Sequence, residues 1–205
     1  MSDRWSTGRL EAFSDGVFAI AITLLVLEIG VKETEFDDLW HAIGAQWPSY
    51  LGYVTSFVTI GGIWLAHHSI VRRLDQADAN VMRLNLLLLM FVAFLPFPTK
   101  LVAEAIDNSS AESAAVIFYG LDLLAISVTV SGMWRYIAAH RDLLAEDVGA
   151  EEIRAISSRT APSIGFYAVV VALAILAPQV AAFGYLAIAV VAVFRSRGDR
   201  TVSRE

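Results

Sequence analysis

The sequence predicts an all-α integral membrane protein with six transmembrane helices per chain, and three observations predict it. Hydrophobic residues make up 57% of the 205, and mean hydropathy is +0.59. A soluble domain stays near about 45–50% apolar, so the excess needs lipid to face. Apolar segments long enough to cross a bilayer, which takes roughly 20 helical residues, recur along the chain. Basic residues fall on one side of the resulting layout.

Segment one, about 10–30, carries Glu11, Asp15 and Glu28. Arg4 and Arg9 before the run Gly16 to Leu27 imitate a signal peptide. No small-x-small cleavage pattern follows, however, and the segment is expected to be retained. Segment two, about 46–71, lies between Trp47-Pro48 and Arg72-Arg73. Segment three, about 81–106, contains the leucines at 86–89 and the interruption Pro96-Phe97-Pro98. Segment four, about 112–137, ends in Trp134-Arg135-Tyr136. Segments five, about 161–177, and six, about 180–194, are short and joined by Pro178-Gln179; two spans are favoured over a shallow hairpin. A charged linker, 138–160, is expected to form an amphipathic helix with Leu143, Leu144, Val148 and Ile153 on one side. Residues 196–205 make a short basic tail.

With the N-terminus inside, Arg4, Arg9, Arg72, Arg73, Arg83, Arg135, Arg141, Arg154, Arg159, Arg195, Arg197, Arg200 and Arg204 are internal. Lys32 and Lys100 are external, so 13 of the 15 basic residues share a side. This positive-inside bias requires an even number of spans and places both termini in the cytoplasm. Trp40, Trp47 and Tyr50 outside, and Trp5, Trp134 and Tyr136 inside, suit the two interfaces.

Ionisable groups within a span face a bundle interior or a water path. With Ile20 at zero on a wheel of about 100° per residue, Gly16, Leu24 and Leu27 fall within about 40°. Thr23 sits about 60° aside, Ser14 about 120° away and Asp15 on roughly the opposite face. Two readings follow. Either the apolar stripe faces lipid while Asp15 faces the bundle, or the stripe lines a narrow pore that closes by dewetting.

Arg9, Ser14, Asp15, Trp64, His67, His68 and Asn85 all fall near the inner ends of segments one to three. Buried polar groups must satisfy one another, so these residues are expected to form a network tying the three segments together. It is either a static clamp or a site of chemistry. Adjacent His67 and His68 point about 100° apart, a poor arrangement for one metal. The chain has no cysteine, and no H-E-x-x-H, G-x-S-x-G, P-loop or GxGxxG motif. No enzymatic activity, cofactor, tightly bound metal or nucleic-acid partner is expected.

The string Arg9-Leu10-Glu11-Ala12-Phe13-Ser14-Asp15-Gly16, followed by Val17 to Glu28, closely resembles the R-x-x-x-F-S-D signature of the transmembrane protein 175 family of potassium channels. Trp64-Leu65-Ala66-His67-His68 resembles that family's second landmark, and Asn85 with Leu95-Pro96-Phe97-Pro98-Thr99 its third. The resemblance implies a potassium channel of the single-repeat bacterial kind, assembling as a homotetramer in the inner membrane, with the lipid bilayer and permeant monovalent cations as its other partners. It implies a pore surrounded by the first helices, with a constriction at Ile20, Leu24 and Leu27 and a neighbouring hydroxyl layer at Thr23. It assigns Arg9, Ser14, Asp15, Trp64, His68 and Asn85, with His67 beside them, to a polar cluster behind the pore.

The chain lacks the Thr-Val-Gly-Tyr-Gly filter, which Thr129-Val130-Ser131-Gly132-Met133 only echoes, so a modest potassium preference would come from a hydrophobic gate. Glu28, Glu33, Glu35, Asp37 and Asp38 either concentrate cations at the mouth or form a solvated loop. Competing readings are a proton-coupled transporter using Asp15 and the histidines, and a non-transporting scaffold whose partner docks on 138–160.

Overall fold

The computed structural model describes residues 5–30, 33–106 and 109–196. Arg4, Lys32 and the expected tail beyond Ser196 lie outside the described residues. Eight α-helices are described: α1 (Thr7–Leu24), α2 (Leu39–Ala45), α3 (Trp47–Val71), α4 (Ala79–Phe94), α5 (Pro96–Ala105), α6 (Ser109–Ala139), α7 (Ala150–Leu176) and α8 (Pro178–Ser196). Five helical stretches among the described residues are long and apolar enough to cross a membrane: Thr7–Glu28, Trp47–Val71, Ala79–Ala105, Ala111–Ala139 and Ala150–Leu176. A sixth apolar stretch, Val180–Val191 in α8, is shorter.

Local chemistry explains the breaks. α1 tightens into a 3-10 turn at Leu25–Glu28, after which Ile29 is extended. α3 opens with proline in its first turn, where a missing N–H costs no helical bond. α4 and α5 form one kinked span. Pro96 cannot bond back, Leu95 N–H reaches the Val92 carbonyl at 3.3 Å, and Thr99 N–H resumes the ladder to the Leu95 carbonyl at 3.2 Å. Pro178 opens α8 directly after Ala177, whose φ of -149° and ψ of 77° end α7.

The expected linker is shorter than 138–160 and is not an amphipathic helix. α6 continues to Ala139, Arg141–Leu143 forms a 3-10 turn, and α7 begins at Ala150 rather than near 161. Glu151 and Glu152 stand in the first turn of α7, where acids oppose the helix dipole favourably. Ile153 and Ile156 are buried, and Trp134 donates its indole N–H to Ser157 at 2.9 Å. Charges that read as a solvated linker are therefore the start of a packed helix. The filter-like string Thr129–Met133 is ordinary helix within α6, Thr129 donating to the Ala125 carbonyl at 2.7 Å.

α6 is the hub, packing on α4, α5, α7 and α8, whereas α1 packs mainly on α3 and α4. More than half of the α6 span, 56%, is buried, against 28% for α1. Phe18, Leu25, Ile60, Leu88, Ile126 and Trp134 are among the fully buried core side chains.

One end of the bundle is knotted together. β1 (Trp5–Ser6) pairs antiparallel with β2 (Gln76–Ala77), and Leu74 bridges Leu144. Asp75 N–H reaches the Leu143 carbonyl and Ala145 N–H the Arg73 carbonyl, both at 3.0 Å. Arg73 forms an ion pair with Glu152 at 2.7 Å, and the Tyr136 hydroxyl donates to Asp78 at 2.6 Å. The N-terminal strand, the α3–α4 connection and the α6–α7 connection thus share one end, so successive spans alternate in direction.

Candidate functional site: the first helix and the polar groups behind it

α1 has two faces with different work. Leu10, Ser14, Phe18 and Ala21, with Leu25 beyond, recur at helical spacing and are buried. On the opposite side Ile20 is 60% exposed, Leu24 40% and Leu27 73%, so all three stand outside the chain's own core. Thr23 is exposed on this side too. Its hydroxyl donates to the Ile20 carbonyl at 2.9 Å, which satisfies it without a partner helix.

Behind this helix the polar residues divide into two sets. The first is fully buried: His67 Nε2 lies 2.7 Å from Asn85 Oδ1, Asn85 Nδ2 donates to Ser14 Oγ at 3.0 Å, and Ser14 donates to the Leu10 carbonyl at 2.8 Å. The assignment that satisfies every member puts the His67 proton on Nε2, giving a one-way chain from α3 through α4 to α1. Phe18 covers the His67 ring at a centroid distance of 5.5 Å.

The second set joins two i, i+4 pairs. Glu11 and Asp15 on α1 face His68 and Trp64 on the antiparallel α3. Trp64 Nε1 donates to Asp15 Oδ1 at 2.8 Å, and its ring stacks on His68 at 5.5 Å and 25°. His68 Nδ1 approaches Glu11 Oε1 to 3.2 Å, an ion-pair distance, but the approach is too oblique for a hydrogen bond.

Arg9 joins neither set. It is exposed, in the cleft between α1 and α4 lined by Phe13, Met82, Asn85 and Leu86. Glu11 was absent from the sequence-derived cluster, although its four-residue spacing from Asp15 repeats that of Trp64 and His68. A third polar group, Ser56 with Thr99 at 2.7 Å and Tyr119 at 3.1 Å, ties α3, α5 and α6 deeper in the bundle. No spacing within one helix announces it.

At the far end of α1, Glu28 is not a free acid: Lys100 of α5 pairs with it at 3.0 Å. Asp38 caps α2, accepting from His41 N–H at 3.3 Å. The side chains of Glu33 and Glu35 lie outside the described residues. Among the described residues no group of three or more His, Asp or Glu is placed to hold a metal ion.

Several apolar spans, antiparallel and clamped by polar groups between the first three of them, define a multi-pass helical membrane protein. Residues 9–96 match the family model described as "Endosomal/lysosomal potassium channel TMEM175". A potassium channel of Streptomyces collinus is 42% identical over 185 residues, covering 89% of this chain and 90% of that one. The chain belongs to the TMEM175 family.

The crystal structure of a lysosomal potassium-selective channel TMEM175 homolog from Chamaesiphon minutus superposes with a TM-score of 0.84 at 37% identity. It covers 93% of this chain and 97% of that chain. The endosomal/lysosomal proton channel TMEM175 of Gallus gallus is 38% identical over 125 residues, 57% of this chain but 25% of the longer protein. These relatives bear ion-channel names rather than enzyme names.

Proposed function

We propose that the chain forms a homotetrameric potassium-permeable channel of the bacterial cell membrane. Each protomer contributes six spans, with both termini in the cytoplasm, and four copies of α1 surround the pore. The carrying observation is the outward stripe Ile20, Leu24 and Leu27, on a helix at the protomer's edge that the family's signature opens. A helix buried like α6 has no free face to give to an axis.

Rings of four Ile20, Leu24 and Leu27 side chains make a passage that closes by dewetting. Potassium holds its hydration shell less tightly than sodium, so a dry bottleneck passes it with modest preference and needs no carbonyl cage. Thr23 supplies a hydroxyl layer beside the constriction. Ser14, Asn85 and His67, with Asp15 and Trp64, hold the rear of α1 against α3 and α4, so the narrow ring has a fixed wall.

Protein reconstituted in liposomes is expected to pass potassium, and flux no greater than that of empty vesicles removes the reading. Ile20→Asn and Leu27→Ala are expected to raise conductance or loosen selectivity. Unchanged currents in both put these side chains against lipid.

The proton-channel names of animal relatives favour one second reading, proton movement. Glu11, Asp15, His67 and His68 cluster beside α1 and supply groups that take up protons. Flux driven by a pH gradient without potassium, lost in Asp15→Asn but kept in Leu27→Ala, supports that reading over the first.

A further inference from the structure

The last turn of α1 departs from its helix where the stripe ends. From Ile20 to Leu24 four α-helical steps advance the side chain by about 40°. From Leu24 to Leu27 the backbone is 3-10, and three steps of about 120° bring Leu27 directly over Leu24. A continued α-helix would swing Leu27 about 60° from Leu24 and set it lower, since the α rise is about 1.5 Å per residue against about 2.0 Å. The stacking of the two leucines is thus made by the tight turn. Turns of this kind have poor hydrogen-bond geometry and act as hinges, so something must hold this one.

Two contacts do so. Leu25 is 1% exposed and anchors the inner side. Glu28 closes the turn and pairs with Lys100 at 3.0 Å, while Ile29, the next residue, is extended. Lys100 stands on a firm base. Its neighbour Thr99 donates to the Leu95 carbonyl at 2.8 Å and meets the Ser56 hydroxyl at 2.7 Å, which fixes α5 to α3 just past the Pro96 kink. The 3-10 turn itself packs on α3 and α5.

We infer that Glu28 and Lys100 are positioning residues for the constriction: their ion pair braces the 3-10 turn against α5 and thereby sets where Leu27 stands. The inference rests on the pore reading of α1 and adds to it the part that holds the outer ring in place. Both side chains are partly exposed, at 45% for Lys100 and 27% for Glu28, so the pair adds little to fold stability. Its effect is on the geometry of a soft turn.

The test is single-channel recording of the reconstituted full-length chain carrying Glu28→Gln, Lys100→Gln, Lys100→Arg, the exchange Glu28→Lys/Lys100→Glu, and Leu27→Ala as reference. Gel filtration confirms that each assembles like the parent. Both neutral variants are expected to shift unitary conductance in the same direction, by about twofold to tenfold, and at every potassium concentration. Lys100→Arg and the exchanged pair are expected to return it towards the parent value.

Opposite shifts in Glu28→Gln and Lys100→Gln that vanish at high salt would mean simple attraction and repulsion of cations at the mouth, and would overturn the inference. So would silence in both neutral variants while Leu27→Ala changes conductance. A silent Leu27→Ala beside an active Ile20→Asn also overturns the inference, and silence in both removes the pore reading itself.

Discussion

Asn85 shows how much one side chain carries when water is absent. Its amide serves His67 on one side and Ser14 on the other, and all three are fully buried. Asn85→Leu keeps the branched shape, leaves the buried His67 Nε2 without its partner at a cost of about 1–3 kcal/mol, and takes from Ser14 the N–H it accepts while its own bond to the Leu10 carbonyl stays. Thermal unfolding in detergent is expected to fall accordingly, and an unchanged midpoint means the chain of bonds is not formed. Trp64→Phe asks the same of the second set, keeping the stack on His68 while deleting the N–H that reaches Asp15. A cost of about 1.5–3 kcal/mol is expected because the acceptor is a carboxylate.

These residues were legible because polar groups at one depth in an apolar chain have few partners besides each other. Arg9 fell outside the cluster because a long cationic side chain near a helix end reaches the surface instead. Asp122, buried in α6, was not legible at all; its Oδ2 has no hydrogen-bond partner among the described residues.

Elements were read best where apolar length decides them and worst where charge does. The first four spans follow from hydropathy. The start of α7 was hidden because Glu151, Glu152 and Arg154 look like solvent-facing linker, although acids in a first turn and isoleucines at 153 and 156 are what a packed helix start requires.

Close approach between helices leaves its own mark in glycine. A Cβ at Gly120 would lie 1.9 Å from the Tyr185 hydroxyl and 2.7 Å from Val171 Cγ2, so α8 can lie this near α6 only without one. Gly132, on the same helix, has nothing within 4 Å. Gly120→Ala is therefore expected to destabilise by about 1–3 kcal/mol through overpacking. Gly132→Ala is expected to be neutral, or to gain up to about 1 kcal/mol of helix propensity. Unfolding midpoints that rise in both variants would show that α8 sits further from α6.

At the scale of the whole molecule, the bundle is fastened at the end that gathers the N-terminal strand and two connections, while the far end of α1 is held by the buried Leu25 and one partly exposed ion pair. Asp78 is central to that fastening: it caps α4 through the N–H groups of Asn80 and Val81 and accepts from Tyr136 at the end of α6. Burial alone would push its carboxyl upward. The Tyr136 hydroxyl, the two N–H groups and nearby His140 outweigh burial and hold it below its ordinary value of 3.8.

A carboxyl depressed in the fold contributes stability that is complete above the unfolded value and is lost as pH falls through the lower folded one. Tyr136→Phe removes the largest of these supports, so it should lower the unfolding midpoint at neutral pH. That difference from the parent should then shrink as pH drops below about 4 and on through the parent's lower folded value, the carboxyl becoming protonated first in the variant and then in the parent. Acid titration of both, followed by thermal unfolding in detergent, checks the sign. A gap between the two that stays constant down to pH values well below the folded carboxyl's would mean that Tyr136 acts by packing alone, and that the knot at this end owes nothing to the charge on Asp78.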